Sequence, residues 1–283
     1  MEIEKAAEIG FCTGVRRAID ILERASRKLG PLQTLGPIVH NQQVVDKLAR
    51  SGVTVAESLD QLSCGTVAIS AHGVSPEVLQ QAQERGLQIV DTTCPFVRRA
   101  QNAAKRLNKA GFFVIVFGDG DHREVQGVLG CAEDNGIATL KLPDLDRAKL
   151  PQRIGILSQT TQSFPAFVHF VSSFSERYVE LIAELRIINT ICDATRRHQQ
   201  AAMGLARRVD LMLVVGSRTS ANTRRLAEIC SDIVETHHIE KAAEIDPRWL
   251  CERGNPHIGI TAGASTPDEA INEVTQALQG VSC

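Results

Sequence analysis

The sequence predicts an α/β protein made of three related units with mostly parallel sheets. Two observations support this fold class. Short aliphatic segments alternate with longer helical patterns along the chain, which is the element order of parallel α/β layers. A pattern of one cysteine, an arginine pair, a glycine and a polar residue also occurs three times, which indicates an internal triplication.

The composition is that of an ordinary globular protein. The chain has 283 residues, of which 43% are hydrophobic and 23% are charged, enough for one to three domains. The net charge of −2 provides no basic field for nucleic acid. An uninterrupted apolar stretch of about 18 residues is lacking, so no membrane span is predicted. The opening MEIEKAAEIGFC matches neither a secretory signal nor a transit peptide, and we expect a cytoplasmic location.

Each copy of the repeat begins with a cysteine that separates a strand pattern from a helix pattern. The arginine pair, the glycine and the polar residue then follow at the same spacing in all three copies. The three sets are Cys12, Arg16, Arg17, Gly36 and His40; Cys94, Arg98, Arg99, Gly118 and His122; and Cys192, Arg196, Arg197, Gly216 and Ser220. Similar α/β units share single residues by chance, but a set of this size indicates duplication.

The repeat continues with a second helix and a second strand that ends in a small polar loop. The loops VAISAHGVSPE, IGILSQTTQSFP and HIGITAGASTPDE place His72, Thr160 and Ser265 at equivalent positions. A third strand leads into the next cysteine in LQIVDTTC and LRIINTIC, and IEKAAEIGFC supplies the strand that the last copy lacks. We therefore predict that the copies close into a ring. The predicted units are 12–93, 94–191, and 192–283 with the N-terminal strand 1–11.

Three of the eight cysteines are candidate metal ligands. No two cysteines form a CxxC pair, which argues against a zinc ribbon, a thioredoxin-type site or a ferredoxin-type run. A helix N-terminus favours the thiolate that binds metal, so Cys12, Cys94 and Cys192 suit an iron–sulfur cluster with one open iron. A catalytic zinc is the alternative, although such sites usually include histidine or carboxylate ligands. Inert structural roles are expected for Cys64, Cys131, Cys230, Cys251 and Cys283.

Polar loops at the ends of parallel strands are the usual place for a ligand. Histidines, hydroxyls, an amide and helix N-termini suit a phosphate or a diphosphate. Glu124 is the one carboxylate among them and is a candidate proton donor or relay. The candidate loop residues are His40, His72, His122, Glu124, Thr160, the segment Ser217 to Asn222, and Ser265. Structural or exposed positions are expected for His169, His198, His237, His238 and His257.

Nearly the whole chain resembles one enzyme family. The motifs that carry the resemblance are GFCTGVRRAI, GPIVHN, SAHGVS, DTTCP, DHREVQG, SQTTQS, TICDATRRHQ, VVGSRTSANTRRLAE and TAGASTPD. They are similar to those of the 4-hydroxy-3-methylbut-2-enyl diphosphate reductases, the LytB family. The resemblance implies a pseudo-threefold trefoil of α/β units around one [4Fe–4S] cluster with three cysteine ligands and one open iron.

The resemblance also implies residue roles. The cluster ligands are Cys12, Cys94 and Cys192, and the catalytic residues are Glu124 and Thr160. The implied diphosphate ligands are His40, His72, His122, Ser220, Asn222 and Ser265. Two departures stand out: the family commonly has serine at Ala221 and often has proline at Arg123. The first puts one hydroxyl contact in doubt, and the second changes loop rigidity or adds a cation.

The implied activity is the two-electron reductive dehydroxylation of an allylic diphosphate to isopentenyl and dimethylallyl diphosphates, the last step of the methylerythritol phosphate route. The hydroxyl would bind the open iron while Glu124, supported by Thr160, delivers protons. The electron donor would be a ferredoxin or a flavodoxin-type carrier, and the protein is expected to be a monomer. The competing hypotheses are a non-catalytic Fe–S redox sensor, which leaves the polar loops without purpose, and a zinc phosphoesterase.

Overall fold

The computed structural model describes residues 1–147, 150–251, 254 and 256–281. Strands and helices alternate along this part of the chain. The strands are β1 (Glu2–Lys5), β2 (Leu32–Leu35), β3 (Val53–Ala56), β4 (Thr66–Ile69), β5 (Gln88–Asp91), β6 (Phe113–Phe117), β7 (Gly136–Thr139), β8 (Arg153–Ser158), β9 (Glu184–Ile188), β10 (Leu211–Val215), β11 (Thr236–Ile239) and β12 (His257–Ala262). The helices are α1 (Thr13–Leu29), α2 (Gln42–Arg50), α3 (Pro76–Glu84), α4 (Pro95–Lys109), α5 (Arg123–Gly130), α6 (Phe164–Tyr178), α7 (Asp193–Ala206), α8 (Ala221–Ser231), α9 (Arg248–Cys251) and α10 (Asp268–Gln279).

The strands form three parallel four-stranded sheets with the same internal order. The orders are β5-β4-β2-β3, β9-β8-β6-β7 and β1-β12-β10-β11. In each sheet, the strand that leads into a cysteine lies at one edge. β1 pairs with β12 from Glu2 opposite His257 to Lys5 opposite Ile260, just as β5 pairs with β4. The prediction that the opening strand completes the last copy is therefore confirmed.

Each sheet has one strand more than the sequence analysis predicted. The additional strand is β3, β7 or β11, at the edge opposite the cysteine-bearing strand. Each has four residues and pairs with a single neighbour, and β7 and β11 are mostly half-buried. Strands this short carry too little alternation of polar and apolar residues to be distinguished from a loop.

Contacts divide the chain into two compact units, which we call the terminal unit and the central unit. The terminal unit comprises Met1–Arg16, Val39–Lys47 and the chain from Asp193 onward, and it contains the sheet β1-β12-β10-β11. The central unit comprises Arg17–Ile38 and Leu48–Cys192, and it contains the other two sheets. The three predicted domain boundaries stay a prediction. Among the described residues, no helix combines the length and apolar character that a membrane crossing needs.

The central strands are buried on both faces, as parallel sheets between helices require. In the terminal unit, Leu211, Leu213 and Val215 of β10 pack with α10, whereas Met212 and Val214 pack with α7 and α8. All five side chains have 0% exposure, and burial of each large aliphatic side chain contributes about 1.5–3 kcal/mol. The strand ends are thereby fixed, and with them the loops that carry the candidate site residues.

Candidate functional site

Each of the three candidate ligand cysteines lies where a strand passes into a helix. Cys94 is the N-cap of α4, while Cys12 and Cys192 immediately precede α1 and α7. The carbonyls of Cys12 and Cys94 accept the first helical hydrogen bonds, from the backbone N–H groups of Arg16 (3.1 Å) and Arg98 (2.9 Å). All three cysteines are half-buried. The predicted helix-start position is therefore confirmed.

The backbone N–H of each of these cysteines donates to the polar loop that follows a neighbouring strand. Cys94 donates to the carbonyl of Ala71 at 3.0 Å and Cys192 donates to that of Thr160 at 3.0 Å, both within the central unit. Within the terminal unit, Cys12 donates to the carbonyl of Ala264 at 3.2 Å. Each cysteine is thus hydrogen-bonded to a loop that carries a predicted polar site residue. Cys94 and Cys12 bond to the residues directly before His72 and Ser265, and Cys192 bonds to Thr160 itself.

The other described cysteines are in different surroundings. Burial raises the pKa of the Cys230 thiol, inside α8, to about 12. Burial also raises the pKa of the Cys131 thiol, against the opposing effect of Lys105. Cys64 donates through Sγ to the carbonyl of Thr66 at 3.2 Å. Protonated thiols are poor metal ligands, so these properties agree with the predicted structural roles. The side chain of Cys251 and the whole of Cys283 lie outside the described residues.

Glu124 and Thr160 form a buried pair in the central unit. The backbone N–H of Thr160 donates to Glu124 Oε1 at 2.7 Å, and the Thr160 hydroxyl donates to Oε2 at 2.8 Å. Glu124 is 2% exposed and Thr160 4% exposed. Burial raises the pKa of the Glu124 carboxyl, and the two bonds from Thr160 oppose that effect only in part. The carboxyl is therefore kept in its protonated form over a wider pH range than an exposed glutamate.

His122 caps α5 directly beside this pair. Its Nδ1 accepts from the backbone N–H of Glu124 at 3.2 Å, so a neutral ring carries its proton on Nε2. The rings of His72 and His122 meet edge to face, with centroids 5.4 Å apart and a ring nitrogen of each within 4.8 Å of the other. His72 Nδ1 also lies 3.4 Å from Ser70 Oγ. Two adjacent imidazoles at a helix N-terminus are suited to an anion.

In the terminal unit, a second set of polar side chains gathers at the start of α8. Ser220 is the N-cap, its Oγ accepts from the backbone N–H of Thr223 at 3.3 Å, and it lies 3.5 Å from Ser265 Oγ. Asn222 is 5% exposed, and neither its amide nitrogen nor its amide oxygen has a hydrogen-bond partner among the described residues. A buried amide left in this way costs about 1–3 kcal/mol, which a polar ligand would recover.

His40 and Ala221 occupy positions that favour contact with an anion. His40, in the terminal unit, immediately precedes Asn41, whose Oδ1 accepts from the backbone N–H of Val44 at 3.2 Å in the first turn of α2. Ala221 is the first residue of α8. The N–H groups in the first turn of a helix have no acceptor within that helix. Ala221 therefore retains a backbone donor where the family commonly has a serine.

The side chain of Arg123 is directed to a carboxylate. It forms an ion pair with Glu57, and its guanidinium packs against Gly36, where a Cβ atom would lie 2.2 Å from Nη1. Gly36 has a φ of +72°, which also favours glycine. Arg123 thus links the first turn of α5 to the ends of β2 and β3 within the central unit. The sequence analysis left open whether Arg123 changes the rigidity of its loop or adds a cation. This contact favours an effect on loop rigidity.

Gln159 was not among the predicted site residues. Its Oε1 accepts from the backbone N–H of Asp119 at 3.1 Å, which joins the loop of Thr160 to the loop of His122. The repeated glycine Gly118 permits this approach, because a Cβ there would lie 2.8 Å from Gln159 Cβ. The available signal was its place beside Thr160 in SQTTQS, but glutamine has no equivalent in the other two copies.

Comparison with known proteins places these features in a family. The LytB protein family matches residues 3–279. The chain is 50% identical to a 4-hydroxy-3-methylbut-2-enyl diphosphate reductase of Dehalococcoides mccartyi (strain CBDB1), over 100% of this chain and 99% of the relative. It is 44% identical to the enzyme of the same name from Geobacter metallireducens, over 99% of this chain and 98% of the relative.

Two solved structures share the fold. One is described as (E)-4-hydroxy-3-methyl-but-2-enyl diphosphate reductase, the terminal enzyme of the non-mevalonate pathway; it has 37% identity and a TM-score of 0.71, covering 99% of this chain and 100% of that one. The other is the E-1-hydroxy-2-methyl-but-2-enyl-4-diphosphate reductase of Plasmodium falciparum, with 26% identity and a TM-score of 0.90, covering 99% of this chain and 88% of that one. The predicted fold class is confirmed, and the chain belongs to the LytB family.

Proposed function

We propose that the protein is a 4-hydroxy-3-methylbut-2-enyl diphosphate reductase. The reaction adds two electrons and two protons to the allylic diphosphate, breaks its terminal C–O bond and releases water, giving isopentenyl or dimethylallyl diphosphate. The observation that carries the proposal is the buried Glu124–Thr160 pair, whose carboxyl is held toward the protonated form directly beside the capping His122. A reductive dehydroxylation needs such an acid next to an anion-binding loop.

The cysteines fit the cluster that this chemistry requires. Cys12, Cys94 and Cys192 occupy equivalent helix-start positions, whereas the thiols of Cys131 and Cys230 have raised pKa values. Three soft thiolate ligands without a fourth suit a [4Fe–4S] cluster with one open iron, and we propose these three residues as its ligands. When bound, the cluster supplies electrons and a Lewis-acidic iron for the allylic hydroxyl.

We propose that the diphosphate ligands are His40, His72, His122, Ser220, Asn222 and Ser265. Support comes from the unsatisfied amide of Asn222 and from the helix N-termini that Ser220 and His122 cap. The hydroxyls and the amide donate to phosphate oxygens, and the imidazoles donate through ring N–H groups.

Glu124 delivers protons in this proposal. Burial raises the pKa of its carboxyl, which favours the protonated form, and the two bonds from Thr160 fix its orientation. A positioned carboxylic acid of this kind typically contributes about 10²–10⁴-fold to a rate. The electron donor is proposed to be a ferredoxin or flavodoxin-type carrier, and the protein is proposed to act as a monomer.

The test is anaerobic purification followed by iron and sulfide analysis and a reductase assay with chemically reduced viologen as donor. We expect a brown protein that converts 4-hydroxy-3-methylbut-2-enyl diphosphate to the two products. A brown protein without turnover would favour a redox sensor. A colourless protein that holds zinc and hydrolyses phosphate esters would favour a phosphoesterase, and either result would overturn the proposal.

A further inference from the structure

The segments that lead into the three cysteines each receive a hydrogen bond from a basic side chain in the first helix of the same copy of the repeat. Arg17 Nη1 donates to the carbonyl of Thr93 at 3.3 Å, one residue before Cys94. Arg99 Nη2 donates to the carbonyl of Ile191 at 3.4 Å, one residue before Cys192. Each donor is the fifth residue after a cysteine, so the same contact occurs at the same place in two copies.

The third copy makes the corresponding bond with a different residue. His198 is the sixth residue after Cys192, and its Nε2 donates to the carbonyl of Gly10 at 3.0 Å, two residues before Cys12. Arg197, at the position equivalent to Arg17 and Arg99, instead pairs with Glu8. The order is therefore cyclic: the helix after each cysteine supports the segment before the next cysteine in the repeat.

The residues that supply the three acceptor carbonyls are buried, so loss of each hydrogen bond is energetically unfavourable. Thr93 is 5% exposed, Ile191 is 2% exposed and Gly10 is also buried. A buried carbonyl without a donor is unfavourable, so loss of the donor favours movement of the segment. The segment can move only with the cysteine that follows it, because each acceptor lies one or two positions before that cysteine.

We propose that Arg17, Arg99 and His198 are positioning residues that hold the three cysteines in the geometry required by the cluster. The inference rests on the proposed function only in its assignment of Cys12, Cys94 and Cys192 as ligands. Groups that orient metal ligands in this indirect way typically change metal affinity by about 10–100-fold when they are replaced. The two guanidinium groups also place positive charge beside the cysteine segments, which favours the more negative, reduced form of a cluster.

The chain offers matched controls for this inference. Arg16 and Arg98 directly precede Arg17 and Arg99, but they pair with the exposed carboxylates of Asp268 and Asp91. The test uses the full-length, anaerobically purified protein and measures the rate of iron loss to a ferrous chelator. Arg17→Ala, Arg99→Ala and His198→Leu are expected to lose iron about 10-fold faster than wild type. Arg16→Ala and Arg98→Ala are expected to lose it at the wild-type rate.

Two further measurements separate positioning from general stability. Arg17→Lys retains a charged donor and is expected to recover slow iron loss, and the midpoint potential should fall in Arg17→Ala but not in Arg17→Lys. Equal rates in the Arg17→Ala and Arg16→Ala proteins would overturn the inference. So would rapid iron loss that merely follows a lowered unfolding temperature. Iron retention can be measured without turnover. A wild-type protein that binds iron but has no reductase activity would overturn the proposed function and leave the positioning inference intact. A wild-type protein that binds no iron would overturn both the proposed function and the positioning inference.

Discussion

Thr160 contacts both oxygens of the Glu124 carboxyl, with its backbone N–H 2.7 Å from Oε1 and its hydroxyl 2.8 Å from Oε2. The carbonyl of the same residue accepts from the backbone N–H of Cys192 at 3.0 Å. One residue therefore joins the proposed proton donor to a proposed cluster ligand through consecutive bonds.

Replacement of Glu124 by glutamine should slow the reaction without loss of the cluster. The amide keeps an oxygen that can accept from Thr160, but it cannot release a proton. We expect turnover to fall about 10²–10⁴-fold under anaerobic conditions, with iron and sulfide contents equal to those of wild type. Near-normal turnover at full cluster content would remove the proton-delivery role.

Thr160→Val should weaken the orientation of the same carboxyl. The valine retains the backbone N–H bond to Oε1 but removes the hydroxyl partner of Oε2, which leaves a buried polar atom unsatisfied. The cost of about 1–3 kcal/mol predicts a loss of roughly 10-fold in turnover. Thr160→Ser keeps the hydroxyl and serves as the control. If the serine and valine variants were equally impaired, the hydroxyl would not be the group responsible.

Glu124 should also make the stability of the protein depend on pH. Burial raises its pKa above the usual 4.5, so the folded state holds a proton that the unfolded chain has released. This contribution to the free energy of unfolding is complete below pH 4.5 and is lost as pH rises through the raised pKa. The free energy of unfolding can be measured with denaturant for wild type and for Glu124→Gln. The wild-type value minus the variant value should decline by up to about 1.4 kcal/mol for each unit of pH increase. A difference that is flat or rises with pH would contradict the assignment.

Asn222→Leu should separate stability from ligand affinity. Since the amide of Asn222 has no partner among the described residues, an apolar replacement of similar size removes an unsatisfied group and should leave the unfolding temperature unchanged or higher. Affinity for inorganic diphosphate, measured by calorimetry, should fall about 5-fold or more. Asn135→Leu is the comparison, because Asn135 donates to Asn108 and to the Phe112 carbonyl, and its loss should destabilise the fold.

Gly36→Ala should destabilise the protein more than Gly30→Ala. Both glycines have positive φ, +72° and +81°, but an added Cβ meets Arg123 at Gly36 and nothing within 4 Å at Gly30. The backbone cost of about 1–2 kcal/mol is therefore common to both variants. The excess, which is the additional loss of unfolding free energy in Gly36→Ala over Gly30→Ala, reports the contact with the guanidinium group. In an Arg123→Ala background, the excess should vanish in denaturant unfolding. An unchanged excess would contradict the packing of the Arg123 guanidinium against Gly36.

The repeated residues predicted much of the site. Cys12, Cys94 and Cys192 lie at helix starts, as their shared spacing indicated, and the strand before Cys12 completes the last sheet. Ser220 and His122 both cap helices, so equivalence in the repeat corresponds to equivalence in structure. Such features follow from local pattern and from duplication, both of which are present in one sequence.

Other features depend on distant partners that spacing does not reveal. The arginine pairs were visible in sequence, but nothing local indicated that Arg17 donates to the carbonyl of Thr93 while Arg16 pairs with Asp268. The direction of Arg123 likewise depends on Glu57, which lies in another copy of the repeat. The edge strand β7 was missed because its register comes from β6 and not from its own four residues.

The pairing of β1 with β12 sets an order in which the molecule can be made. Glu2 leaves the ribosome 255 residues before its partner His257. At about 5–20 residues per second, the opening strand waits on the order of 10–50 s for the strand on which it docks. The other two sheets use strands from contiguous segments and can form during synthesis. Completion of the third sheet is therefore a late step, and until then the segment before Cys12 has no sheet to hold it.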